Sequence, residues 1–187
     1  MSRIEKILEI LRLPIEDKIK GKALEINNKI EEEKDNIKIK FLEKIELLLE
    51  KVFNDNKKVR YILISPLNSS IITESYDIQI AIYTNEFYFQ KEEYIDYYKM
   101  PLIFEKIEEE MKDIEKIIEK NFTRVEKYEI KEIKYRYIKE HNILIILFVN
   151  YLIKYIREIN ILQEVKEDKL DILYGEYMDK NISLLKI

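Results

Sequence analysis

The chain has no cysteine or tryptophan, one histidine, two glycines and three prolines in 187 residues. The absence of cysteine excludes a disulfide framework, a zinc ribbon and thiol catalysis. A single histidine excludes a multi-histidine metal site within one chain. Because so few glycines and prolines leave no room for a flexible linker, we expect one domain over residues 1–187.

Charges of both signs are interleaved, with 37% charged residues and a net charge of −4, which argues against a dedicated nucleic-acid coat. The start, MSRIEKILEILRL, lacks the apolar core of a signal peptide. The most apolar run, ILIILFVNYLI at 143–153, is too short to span a bilayer. These patterns predict a cytoplasmic protein without a membrane segment, and the heavy use of Ile, Lys, Glu, Asn and Tyr is typical of an AT-rich bacterial genome.

Apolar residues recur at helical spacing over most of the chain. Ser2 and Glu5 have the pattern of a capping box, and Pro14 is predicted to end the first helix. The apolar pattern over residues 14–54 predicts either a long amphipathic helical arm or a helical hairpin. The hairpin would break near 33–36, with Asp35 as the N-cap of its second helix. We expect this coiled-coil-like seam to form a homo-oligomer or to pack across the last long helix.

Residues 59–90 depart from the helical pattern. Val59 to Ser65 predicts a first strand, and Asp77–Tyr83 with Phe87–Gln90 predicts a hairpin that turns at 84–86. Residues 92–100 are predicted to be irregular. Helices are then expected over 101–121, along one apolar stripe from Ile130 to Ile159, and over 164–178.

The predicted fold class is therefore α+β and predominantly α. It has four to six helices and a two- or three-stranded antiparallel sheet at roughly residues 59–90. The sheet and a Tyr-rich loop (57–100) are expected between an N-terminal helical arm (1–56) and a C-terminal helical bundle (101–187).

Aromatic residues concentrate around the predicted hairpin and its exit. Tyrosine is enriched at protein interfaces because it offers a large contact area with a polar tip. We therefore predict a non-catalytic protein-interaction module without cofactor or metal, such as a regulator, inhibitor or accessory subunit of a bacterial or phage system. Its predicted partner-binding residues are Tyr83, Phe87, Tyr88, Tyr94, Tyr97 and Tyr98.

An alternative function rests on the single histidine. Arg136 and His141 lie five residues apart in RYIKEH, and this spacing resembles the Arg-x4-His motif of the HEPN ribonucleases. The resemblance implies cleavage of RNA without a metal, with the two side chains meeting across a dimer. Imidazole would move the proton of the 2′-hydroxyl while guanidinium holds the phosphate. The structural alternative is a histidine buried on the apolar stripe.

A polar loop supplies another candidate site. Asn68, Ser69 and Ser70 precede a strand that begins Asp77-Ile78-Gln79, which resembles the core of the nucleotidyltransferases. That family carries Gly-Ser and then Asp-x-Asp for two-metal phosphoryl transfer. Here Ser69 replaces the glycine and Gln79 replaces the second carboxylate, so the resemblance implies a degenerate site. The alternative is a polar loop that leads into an ordinary strand.

A basic stretch with interleaved tyrosines raises a third function, binding of RNA or single-stranded nucleic acid. Its basic residues include Lys131, Lys134 and Arg136. Glutamates alternate with these residues, which also predicts ion pairs within a helix.

Overall fold

The computed structural model describes residues 2–84, 94–176 and 180–187. The chain divides into two compact units that interleave along the sequence. Unit 1 comprises residues 1–29 and 101–145, and unit 2 comprises residues 30–100 and 146–187. The mixed α and β composition confirms the predicted α+β class in its coarse form.

The helices are numbered in chain order, and every helix in the described part of the chain is too short or too charged to cross a lipid bilayer. The α-helices are α1 (Arg3–Glu32), α2 (Lys34–Asn54), α3 (Asn68–Ile72), α4 (Pro101–Phe104), α5 (Ile107–Asn121), α6 (Lys127–Glu140), α7 (Asn142–Leu152) and α8 (Leu162–Val165), and a 3-10 helix covers Ile153–Glu158.

The start of α1 confirms the predicted capping box. The backbone N–H of Ser2 donates to Glu5 Oε2 at 2.7 Å, and the N–H of Glu5 donates to Ser2 Oγ at 3.2 Å. Pro14, however, does not end the helix. Although proline removes one backbone donor, buried Leu11 and Ile15 hold the chain on both sides of it.

The predicted break after the first helical segment is present at Glu33, which precedes α2. Asp35 lies in the first turn of α2 and not at the cap position. The predicted single stripe from Ile130 to Ile159 is divided between α6, α7 and the 3-10 helix. At this division the N–H of His141 donates to Ile138 O, three residues back, so the α-helical hydrogen-bond pattern is interrupted.

Within its described residues, unit 2 contains one five-stranded sheet, so the predicted two- or three-stranded antiparallel sheet was too small. Its strands are β1 (Val59–Pro66), β2 (Asp77–Tyr83), β3 (Tyr94–Lys99), β4 (Lys166–Tyr174) and β5 (Ile182–Lys186). Their order is β3-β2-β1-β4-β5; β1 and β4 are parallel, and the other neighbouring pairs are antiparallel.

Two local predictions fail for the same reason. Residues 92–100 were expected to be irregular, and 164–178 to be helical, yet they contain β3 and β4. Both strands form because they pair with neighbours that local sequence does not reveal, β2 in one case and distant β1 in the other. The predicted hairpin strand Phe87–Gln90 lies outside the described residues.

The sheet is buried on both faces over its central strands. Ile62, Ile80 and Ile172 share one face, and Leu63, Ala81, Tyr83 and Leu173 form an apolar cluster on the other. Consequently Asp77-Ile78-Gln79-Ile80 does not alternate between core and solvent: every residue of β2 after Asp77 is buried. Unit 1 has its own core, formed by Ile7, Leu11, Ile107, Met111, Ile114, Ile118, Ile133 and Tyr137.

The two glycines make a matched stability test. No heavy atom lies within 4 Å of a Cβ added at Gly21, whereas a Cβ at Gly175 would lie 2.7 Å from the backbone oxygen of Lys180. We expect Gly21→Ala to raise the unfolding free energy by about 1 kcal/mol through helix propensity. Gly175→Ala should lower it by about 1–3 kcal/mol through overpacking. Urea denaturation of both variants measures these changes in unfolding free energy. Equal changes in the two variants would contradict the close approach predicted at Gly175.

Candidate functional site

A row of polar side chains crosses the apolar sheet in unit 2. Ser65 on β1 lies opposite Gln79 on β2, and Gln79 lies opposite Tyr97 on β3. Asp77 lies two residues before Gln79 and shares its face. Ser65 and Gln79 are buried, and neither Ser65 Oγ nor Asp77 Oδ1 has a hydrogen-bond partner within the described ranges. Buried polar atoms without partners are uncommon in folded proteins, so this row is the most distinctive part of the sheet.

The predicted polar loop is ordered beside this row. Asn68, Ser69 and Ser70 begin the short helix α3. The hydroxyl of buried Ser70 lies 2.8 Å from Leu67 O and 2.9 Å from Asp77 O, which fixes α3 against the start of β2. The amide of Asn68 donates to Glu176 Oε2 at 3.2 Å.

The turn between α3 and β2 holds two residues in the left-handed region. Glu74 has a φ of 57° and Tyr76 a φ of 54°. A bulky side chain in this region is uncommon and carries a conformational cost. The backbone that presents Asp77 is therefore strained.

The row nevertheless holds one carboxylate where the nucleotidyltransferase pattern needs a pair. Gln79 shares a face with Asp77, while Asp96 lies opposite Ile80 and so points to the other face. Lys44 Nζ donates to Asp96 Oδ2 at 2.9 Å. Burial alone would raise the pKa of Asp96, but hydrogen bonds from Lys44 and from the Tyr97 N–H hold it below its usual value. In the described part of the chain no three metal-ligating side chains converge.

The predicted aromatic set separates into structural and exposed members. Tyr83 and Tyr94 are buried, and Tyr94 donates its hydroxyl hydrogen to Asp55 Oδ2 at 2.5 Å. Tyr98 packs between Phe41 and Phe148, with ring centroids 5.4 and 6.5 Å away. Tyr97 is 51% exposed. Phe87 and Tyr88 lie outside the described residues.

Arg136 and His141 occupy different environments in unit 1. Arg136 is exposed on α6, where its Nε donates to Glu132 Oε1 at 2.7 Å, and it lines a groove of about 610 Å³ between α1 and α6. His141 is completely buried. The described residues of one chain therefore do not present both side chains to the same phosphate.

His141 instead belongs to a buried polar network that includes an ion pair. Lys22 Nζ lies 2.6 Å from Glu110 Oε1, 2.8 Å from Ile103 O and 3.3 Å from His141 Nε2. These three acceptors match the three donors of an ammonium group. On the other side of the ring, His141 Nδ1 lies 2.9 Å from Tyr137 O, and a hydrogen on Nδ1 leaves Nε2 free to accept from Lys22.

The network controls the ionisation of its members. Burial lowers the pKa of Lys22, although Glu110 counteracts the effect. For Glu110, burial alone would raise the pKa, but the side chains of His141, Lys22 and Tyr137 together lower it to about 2. The Tyr137 hydroxyl donates to Glu110 Oε2 at 2.8 Å, and burial with this bond raises the pKa of Tyr137. Glu110 is thus ionised at neutral pH and lies within ion-pair distance of Lys22.

Neither Lys22 nor Glu110 was among the predicted site residues, although the sequence contains one signal for Lys22. Lys22 lies four residues before Ile26 and seven after Ile15, on the stripe of α1 that is buried. A lysine on such a stripe is expected to find an acidic partner. The partner itself, 88 residues away, has no local signal.

Three residues of the predicted basic stretch, Lys134, Arg136 and Lys139, contact acidic or aromatic neighbours. Lys134 pairs with Glu108 at 2.6 Å, and Lys139 lies 5.0 Å from the ring centroid of Tyr135. With the pair between Arg136 and Glu132, these contacts reduce the positive field of α6.

Comparisons of the chain with protein-family models, curated proteins and solved structures found no match.

Removing the charge of Lys22 should destabilise unit 1. In Lys22→Met, Glu110 loses its ionic partner while it remains largely buried, which should cost about 3–5 kcal/mol of unfolding free energy. The matched control is Lys20→Met on the same helix, where Lys20 is 73% exposed and the change should stay within about 0.5 kcal/mol. Urea denaturation at pH 7 measures the unfolding free energy of both variants. Equal losses of stability would contradict a structural role for the network.

Glu110 should also make stability depend on pH in acid. Its pKa falls from 4.5 to about 2 on folding, so its contribution is fully present above pH 4.5 and is lost as the pH falls toward 2. The shift corresponds to about 3 kcal/mol. Unfolding free energies of the wild type and Glu110→Gln, measured from pH 6 to pH 2, should converge over this range. A difference that stays constant with pH would argue against the lowered pKa.

Proposed function

We propose that this protein is a non-catalytic interaction module that binds a protein partner through the β3 edge of its sheet. The observation that carries the proposal is the exposure of Tyr97 on an edge strand. The partner would be an enzyme or complex that this chain regulates, inhibits or assists.

The position of β3 supports this proposal. β3 pairs with β2 on one side, and its other side has no strand partner within the described residues. Unpaired N–H and C=O groups on such an edge can bind an extended segment of another protein. Tyr97 would then add a large and partly rigid side chain to the main-chain hydrogen bonds.

The side chains considered for catalysis lack the arrangement that catalysis needs. His141 is buried between the Tyr137 carbonyl and Lys22, and Asp77 stands beside an amide instead of a second carboxylate. These arrangements favour binding over catalysis as the proposed activity.

The edge strand β3 packs against α2, which favours its use as a docking element. Lys44 pairs with Asp96, and Phe41 packs edge-to-face on Tyr98, so α2 supports β3 at two points. A pre-organised surface loses less conformational entropy on binding. Because Tyr98 contributes to this packing, a substitution of Tyr98 would impair folding as well as binding. The two effects could not then be separated.

Tyr97→Ala should weaken partner binding by about 30-fold, the cost of losing an interface residue worth about 2 kcal/mol. The test captures partners on the tagged full chain from a lysate of its source cells and compares protein and RNA in the eluate. Tyr128→Ala is the matched control, because Tyr128 is 65% exposed on α6 in the other unit.

Tyr97→Phe separates the ring from the hydroxyl and should retain most of the binding. The proposal is supported if one protein is lost from the eluate of Tyr97→Ala and retained with Tyr128→Ala and Tyr97→Phe. Enrichment of RNA without a protein partner would instead favour the nucleic-acid alternatives.

A further inference from the structure

A groove in unit 1 lies between α1 and the end of α6 and has a volume of about 610 Å³. On α1 it extends from Glu5 to Glu16, which is about 16 Å along the helix axis. Its apolar lining includes Leu8, Ile15 and Tyr137. A groove of this size with a largely apolar wall is typical of sites that bind small organic molecules.

The floor of the groove is fixed by the fold. Leu8 and Ile15 are seven residues apart, so they lie on the same face of α1, two turns from each other. Tyr137 is completely buried, and its hydroxyl donates to Glu110 in the polar network of unit 1. A floor that is ordered before binding reduces the conformational entropy that a ligand must offset.

The cations that line the groove already have neighbours. Arg12 lies one turn from Glu16, and its Nε donates to Glu16 Oε1 at 3.2 Å. Arg136 and Lys139 make the acidic and aromatic contacts described above. The positive charge of the groove is therefore largely compensated by these neighbours, and little of it remains for an anionic ligand.

The carboxylates of the groove have fewer partners. Glu9 on α1 and Glu140 on α6 are exposed, and neither makes a side-chain hydrogen bond or ion pair within the described part of the chain. Glu5 accepts the N–H of Ser2 in the capping box but pairs with no cation that the structure describes. The uncompensated charge of the groove is thus negative, and a complementary ligand carries positive charge.

We propose that this groove binds an aliphatic amine, a small molecule with an apolar chain and ammonium groups. The chain lies along Leu8, Ile15 and Tyr137, where it displaces water from apolar surface. The ammonium groups lie beside Glu9 and Glu140, and each can donate three hydrogen bonds. Because the two glutamates belong to different helices, a diamine with a long chain uses both of them.

An anionic amphiphile, such as a fatty acid, fits the groove less well. Its carboxylate would lie close to Glu9 or Glu140 and would be repelled by the like charge. It could pair with Arg12 only in competition with Glu16. A neutral apolar ligand would leave the carboxylates of Glu9 and Glu140 without compensation.

Isothermal titration calorimetry of the full chain with dodecanediamine, a straight-chain diamine, tests the proposal. We expect saturable binding of one ligand per chain. Butanediamine has the same charge but a much shorter apolar chain, so it should bind at least about tenfold more weakly. Dodecanedioate has the same chain length but carries negative charges, and it should not bind.

Charge variants test where the diamine binds. The double variant Glu9→Gln with Glu140→Gln should weaken the binding of dodecanediamine about tenfold, because both ammonium groups lose a carboxylate. The double variant Glu115→Gln with Glu119→Gln on α5 is the matched control. It removes the same charge from unit 1 outside the groove, so it should leave the affinity unchanged.

Four results would overturn the proposal. Equal weakening by the two double variants would indicate general attraction of the diamine to an acidic protein. Equal affinity for butanediamine would exclude a role for the apolar floor, and equal affinity for dodecanedioate would exclude a role for the carboxylates. The absence of saturable binding of dodecanediamine would exclude the site itself.

Discussion

The parallel pairing of β1 with β4 is the constraint on which the sheet of unit 2 depends. Val59 and Lys166 come from distant parts of the chain. After a register shift, regular pairing runs from Tyr61 with Asp171 to Ile64 with Tyr174. This pairing converts a hairpin-like element into a five-stranded mixed sheet with a buried centre. At the far end of this strand order, β3 pairs only with β2 among the described strands, and Tyr97 is exposed there. The proposed docking surface is thus a consequence of strand order as much as of aromatic content.

Unit 1 depends on a different kind of interaction, an ion pair that is enclosed in a helical core. Lys22, Glu110 and His141 satisfy one another, so their burial is tolerated although charged groups lose favourable hydration there. An apolar core of similar volume could be equally stable, but the directional bonds of this network restrict which helix faces meet. The ring of His141, directly after α6, lies between the carbonyl of Tyr137 and the ammonium group of Lys22 on α1.

Sequence periodicity predicted the helices better than the sheet, because a helix is specified locally and a strand by its neighbours. The capping box at Ser2 and the apolar spacing in α5 needed no tertiary information. Lys166–Tyr174 lies in a segment predicted to be helical, but it forms a strand because it pairs with β1. The site was foreseen only in part: Tyr97 and Asn68 were selected from composition, whereas Lys22 and the buried Ser65 depend on residues that are remote in sequence.

The order in which these segments emerge during synthesis has a consequence for the cell. β1, β2 and β3 leave the ribosome long before β4, so the nascent chain first contains a sheet in which β1 is an open edge. That edge carries the apolar run Tyr-Ile-Leu-Ile, which favours pairing with any available strand. Because contacts so distant in sequence form slowly, the incomplete sheet is exposed to aggregation for much of translation. Efficient production of this protein therefore depends on protecting β1 until β4 arrives.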